Sequence, residues 1–215
     1  MTSTMLLGVA QVKGKRRDKA ELTRQRLLKA AHQEFLDNGF HGATMAAIAQ
    51  RAGVAGQTVY FVFHTKAELL SAVIDAAVLG DDPPTIPQDT DWWAAMNNAD
   101  TAEEVLRHFV RGAGPLLARA AQISEVLRAA ALADPEARAI FDRHDQLQVT
   151  GYRHVVDLAS SKGPLRPGLT PETATDLLLT LCGDSTYVQL TTERGWTHEQ
   201  ATAWLADATP NLLLP

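Results

Sequence analysis

The stretch from Thr44 to Leu70, TMAAIAQRAGVAGQTVYFVFHTKAELL, decides the fold. Thr44 is placed to cap a short helix, its hydroxyl accepting from an orphan backbone N–H, and Ala46, Ala47, Ile48 and Ala49 fill that helix compactly. Gly53 ends it, because glycine tolerates the positive φ of a sharp turn, and Val54 follows as a small apolar plug. A second helix over about Ala55 to Phe61 offers Val59 to the core and leaves Gln57, Thr58 and Tyr60 facing outward. Thr65 and Glu68 spell a capping box for the next helix, with Lys66 in its exposed first turn. Two short helices meeting at a glycine turn are the geometry that lays the second in the major groove of DNA.

Upstream, Leu27, Leu28, Ala31, Phe35 and Leu36 recur at helical spacing, and Asn38 with Gly39 ends that helix. The positive charges of Lys13 to Lys29, among them Arg16, Arg17 and Arg24, are dense enough to reach phosphates or a minor groove as a basic arm. A solvated helix face is the alternative for Lys13 to Lys19. The net charge of −5 is unevenly distributed: residues 1–80 carry ten Lys or Arg against six Asp or Glu, and residues 81–215 carry ten against nineteen. Phosphate binding needs local positive charge, so the first part is the one expected on DNA.

Downstream, a helix over Lys66 to Leu79 is followed by a break at Gly80 to Pro87, where the domain boundary is expected. Trp92, Trp93 and Met96 fall in a partly helical connector. Thr101 and Glu104 form another capping box, and the helix they open is expected to stop or kink at Gly112, Gly114 and Pro115, with a further helix from Pro115 to Ala133. That alanine-rich helix is apolar on several faces, which places it at the centre of a bundle. Asp134 with Pro135 starts a helix reaching Ser161, Thr170 with Pro171 starts one continuing to about Arg194, and Thr197 with Gln200 caps the last, ending near Leu213. No stretch alternates as a strand does, so the fold is expected to be all-α with about nine helices. Four segments are expected: an arm over 1–19, a helix-turn-helix domain over 20–66, a connecting helix over 67–80 and a second helical domain over 81–215.

A single Cys182 permits no intramolecular disulfide, the start MTSTMLLGVAQV lacks a basic region before its apolar run, and no run reaches membrane-spanning length. A cytoplasmic protein with no membrane partner is expected. The seven histidines are scattered without metal-ligand spacing, Cys182 has no nucleophile motif, and no glycine loop cradles a phosphate. Neither an enzyme nor a bound cofactor or metal is expected.

Thr44, the run Ala49 to Val54, Tyr60, Phe63, Lys66 and Leu69 to Leu70 together resemble the DNA-binding half of the tetracycline-repressor (TetR) family of bacterial regulators, over roughly Thr23 to Val78. His64 departs from the proline usual there, and Gly56 from a longer polar residue. The resemblance implies phosphate contacts by Thr44, Tyr60 and Lys66, all of them groups suited to an anion. Gln57 and Thr58, at the start of the second helix, are the candidates for base edges, Gln on adenine and the Thr methyl on thymine. A structural plug for Tyr60, and simple capping for Thr44 and Thr58, are the alternatives.

The same resemblance implies a carboxyl-terminal ligand-binding and dimerisation domain. Leu177, Leu181, Val188, Trp196, Trp204 and Leu212 are candidates for a homodimer face, and dimerisation would hold two recognition helices one DNA turn apart on a palindromic operator. It also implies an unidentified apolar small-molecule effector, with Trp92, Trp93, Met96, Phe109, Phe141, His144, Tyr152, Cys182 and Tyr187 as candidate pocket residues. The expected function is a ligand-released transcriptional repressor. A ligand-responsive helical dimer acting through a protein partner without DNA, or a small helical enzyme, are the alternatives.

Overall fold

The computed structural model describes residues 3–80 and 85–215, with side chains from residue 19 onward, and among these every regular element is helical. The chain divides into two compact units, Met1–Val73 and Ile74–Pro215. The division falls within the helix expected to connect the domains. Residues 81–84 of the expected break, and the side chains of residues 1–18 of the expected arm, lie outside the described residues.

In the first unit α1 spans Ser3–Gly42 and is interrupted at Gly39, whose φ of 65° and ψ of 178° are non-helical, so the Asn38–Gly39 stop signal acts where expected and one further turn follows. α2 spans Met45–Ala52 and α3 spans Gly56–Val62. α4 spans Lys66–Leu79. Leu27, Ala31 and Phe35, four residues apart along α1, are fully buried and share the core with Ile48 of α2, Val59 of α3 and Leu69 and Leu70 of α4. At the head of α4 the Glu68 N–H donates to Thr65 Oγ1 at 3.0 Å, and the Glu68 carboxylate accepts from the His64 N–H at 3.1 Å.

The second unit opens with a single 3₁₀ turn at Pro87–Asp89 and α5, Asp91–Asn97. α6 runs unbroken over Ala102–Ala130, α7 over Pro135–Lys162, α8 over Pro171–Cys182 and α9 over Asp184–Val188. A π-type turn at Gln189–Glu193 leads into α10, His198–Leu213. α6 is the axis of this unit, packed by α5, α7, α9 and α10. Val105, Leu106, Ile123 and Leu127 of α6 are buried against the rest of the bundle.

Two expectations are corrected. The stop at Gly112, Gly114 and Pro115 does not occur: Pro115 lies inside a 29-residue helix. Its glycines serve close approach. A Cβ on Gly112 would lie 2.3 Å from the Trp92 ring, and one on Gly114 would lie 2.9 Å from Thr202 Oγ1. The missing proline N–H costs one helical bond, which the burial of both flanks offsets.

Conversely, the single helix expected from Thr170 to Arg194 is broken at Gly183, whose backbone is extended. Side chains satisfy the carbonyls that the break releases. The Thr186 hydroxyl donates to the Thr180 carbonyl at 2.6 Å, and the Tyr152 hydroxyl, from α7, donates to the Cys182 carbonyl at 2.7 Å. Beside the break the buried Asp184 carboxylate accepts from Gln148 Nε2 at 3.0 Å.

Two stability measurements follow. Gly112→Ala displaces the Trp92 ring and is expected to lower stability by about 1–3 kcal/mol, whereas Gly151→Ala, within α7 with nothing near the added methyl, is expected to raise it by roughly 0.5–1 kcal/mol; urea midpoints check both. Burial, reinforced by nearby Glu125 and opposed by Gln148, Ser124 and Arg128, raises the Asp184 carboxyl above the usual range. A raised carboxyl favours the folded state at low pH, and that contribution is lost as pH rises through its folded value. Asp184→Asn is therefore expected to be more stable than the native chain at neutral pH, with the difference shrinking on acidification, in urea titrations across that range.

Candidate nucleic-acid interface

The turn between α2 and α3 follows from one residue. Gly53 adopts φ 65° and ψ 40°, its N–H bonds back to α2, and the Val54 N–H reaches the Ala49 carbonyl at 3.0 Å, closing a left-handed helix stop. Arg26 of α1 fastens it, its guanidinium donating to the carbonyl of Ala52 at 2.5 Å and of Gly53 at 3.3 Å. A cation at a helix carboxyl end also meets the negative pole of the helix dipole. Thr44 caps the other end of α2, its Oγ1 accepting from the Ala47 N–H at 3.1 Å, and it remains exposed.

With α2 so held, α3 turns Val59 fully inward and leaves Gln57 exposed, Thr58 half-buried and Tyr60 57% exposed. The outward face expected for α3 is therefore present. Its most exposed large side chain was not among the expected site residues: Phe61 is 85% exposed. Its spacing of four from Gln57 on a helix was the available signal.

The cations are more committed than expected. Lys66 is half-buried, not exposed: its ammonium donates to the Ala43 carbonyl at 3.0 Å and lies 4.5 Å from the Phe40 ring centre. Arg24, also half-buried, sits 4.8 Å over the Phe63 ring. Arg51 pairs with Glu34 and Asp37 at 3.0 Å each. The side chains of Arg16 and Arg17 lie outside the described residues.

In the second unit the nine expected pocket residues are not gathered in one cavity. A cleft of about 270 Å³ takes in Trp92 with Val78, Leu79, Leu116 and Arg119, and Arg119 Nε donates to the Ala77 carbonyl at 2.9 Å. Phe109, Cys182 and Tyr187 line a separate narrow gap, where the buried Thr202 hydroxyl has no hydrogen-bond partner. Burial pushes the Cys182 thiol up to about 11, so it is protonated and inert at neutral pH. Tyr152 stands edge-on to Phe109 and holds the helix break. Met96 is fully buried core, Trp93 stacks on His154, and Phe141 lies beneath Arg128 and Arg138. His144 lies 3.8 Å from Asp75, and burial lowers its pKa against that carboxylate's pull. Of the candidate dimer residues, Leu177, Leu181, Val188, Trp196 and Leu212 are half-buried and Trp204 is 44% exposed. Among the described residues no helix is long and apolar enough to cross a membrane.

Residues 27–73 match the family model described as bacterial regulatory proteins, tetR family. The HTH-type transcriptional regulator UidR of Escherichia coli (strain K12) is 42% identical over 55 residues, which is 26% of this chain and 28% of that protein. The match thus spans little more than a quarter of the relative's length. Among solved structures, NalD, the secondary repressor of the MexAB-OprM multidrug efflux pump in Pseudomonas aeruginosa, superposes with a TM-score of 0.67 at 21% identity over 91% of this chain and 98% of that one. The transcriptional regulator FadR from Bacillus subtilis, in complex with stearoyl-CoA, does so at 0.66 and 18% identity over 87% and 96%. At these identities the likeness is one of fold.

Lys66→Ala removes a carbonyl bond and a ring contact, and is expected to cost about 1–2 kcal/mol of stability in urea denaturation, before any DNA is added.

Proposed function

We propose that this chain, whose residues 27–73 match the model of the tetR family of bacterial regulatory proteins, is a sequence-specific transcriptional regulator, a repressor that binds a palindromic operator as a homodimer and is released by a small molecule. The observation that carries the reading is the outward face of α3, held by the Gly53 turn with Gln57 and Tyr60 exposed at its surface. A helix so presented enters the major groove. Thr44, Tyr60, Lys66 and Arg24 approach phosphates, with Arg16 and Arg17 as an arm, while Gln57 and Thr58 meet base edges. The excess of basic residues over acidic ones before residue 81 supports the same assignment.

The homodimer rests on α8, α9 and α10. Leu177, Leu181, Val188, Trp204 and Leu212 lie along them with Trp196 in the turn before α10, and Trp204 is a large apolar side chain left exposed. The effector is apolar or amphipathic and occupies the cleft beside Trp92, whose lining is aliphatic and aromatic save for Arg119 and two threonines. A long acyl thioester in the related fold from Bacillus subtilis is in keeping with such a lining. Release needs only that the effector favour the dimer geometry in which the recognition helices no longer match the half-site spacing. A coupling of about 1–3 kcal/mol suffices for roughly 5- to 150-fold weaker binding.

A gel shift on the DNA upstream of the chain's own gene, with random DNA as competitor, tests the reading. Specific, salt-sensitive binding by a dimer is expected; a folded dimer that binds no DNA at low salt overturns it. Lys66→Ala is expected to weaken specific and random DNA alike and to flatten the salt dependence, whereas Gln57→Ala mainly lowers discrimination between them. Equal loss of specificity in both variants would contradict the assignment of roles.

A further inference from the structure

We propose that Phe61 is a specificity-determining residue that recognises the 5-methyl group of a thymine in the major groove. The inference rests on the DNA-binding reading above and assigns one base within it.

Of the six phenylalanines, Phe35, Phe40, Phe63 and Phe109 are buried and Phe141 is half-buried, while Phe61 is 85% exposed. Leaving a phenyl ring in water forgoes the burial that the others obtain, so a partner outside the unit is the physical expectation. Its position selects that partner. Gln57, Tyr60 and Phe61 stand at i, i+3 and i+4 on α3 and therefore share one face, with Val59 turned into the core. That face is the one the Gly53 turn presents, on a unit rich in lysine and arginine. The charge suits a polyanion.

Phe61 cannot donate or accept a hydrogen bond, so it is blind to phosphates and to the donor and acceptor pattern of base edges. The thymine 5-methyl is the one apolar group that a base edge places in the major groove. Uracil pairs identically and differs only by that methyl. A ring seated on it excludes water from both surfaces, and Gln57, one turn earlier on the same face, is positioned for a neighbouring base.

The test uses the full chain and a duplex selected by it from a random-sequence library. Each thymine of the selected site is replaced in turn by deoxyuridine, symmetrically in both halves. Besides any thymine met by Thr58, the native chain is expected to lose affinity at one position that depends on Phe61, about fourfold for each methyl removed and about fifteenfold for the pair. Phe61→Ala, checked to be folded by circular dichroism, is expected to bind the thymine and uracil duplexes equally at that position and to keep the native salt dependence. Indifference of the native chain to every uracil replacement overturns the proposal, as does an unchanged thymine preference in Phe61→Ala. A ring that serves a protein partner instead gives the first of these results. A library that yields no preferred duplex overturns the DNA-binding reading, and this proposal with it.

Discussion

The amino-terminal unit depends on one backbone conformation, the left-handed stop at Gly53. Any side chain there carries a conformational cost of about 1–2 kcal/mol, and its Cβ would also press to 2.9 Å of the Arg26 guanidinium. Arg26 then converts a local turn into a tertiary joint, since it reaches 26 residues along the chain to hold the Ala52 carbonyl. The direction of α3, and hence which of its side chains meet solvent, follows from these two residues. Three further cations of the unit are similarly committed: Lys66 ties α4 to the turn before α2, Arg24 lies on Phe63 and Arg51 closes on Glu34 and Asp37. Positive charge here is held in place by packing before any ligand arrives, which lowers the ordering cost of using it.

The second unit is built differently, around one long buried helix whose small residues admit large neighbours. Gly112 accepts the Trp92 ring and Gly114 the Thr202 side chain, so α6 has notches where a pattern reader sees punctuation. The opposite substitution of roles occurs at Gly183, where an apparently continuous helix is divided and α7 supplies the hydroxyl that makes the division tolerable.

These contrasts show where sequence sufficed. The caps at Thr44, at Thr101 with Glu104, at Asp134, at Thr170 and at Thr197 with Gln200 lie where their residues indicate, because a cap is satisfied within one turn of chain. The α3 face was legible for the same reason. What escaped involves partners far along the chain: Trp92 on Gly112, Tyr152 on Cys182, Ala43 on Lys66. The expected pocket residues are aromatic and sulfur side chains, and such side chains fill a core equally well, as Met96 and Cys182 do. Phe61 carries the spacing of four that puts it on the face of Gln57, and the orientation of α3 leaves its ring in solvent.

The four tryptophans fall into two edge-to-face pairs, Trp92 with Trp93 at 5.5 Å and Trp196 with Trp204 at 5.9 Å. Indoles this close exchange excitation, so the tryptophan part of the chain's near-ultraviolet optical activity and emission comes from two coupled chromophores rather than four independent ones. One pair borders the cleft and the other lies by α10, which gives the molecule a separate intrinsic optical label at each place, without any dye.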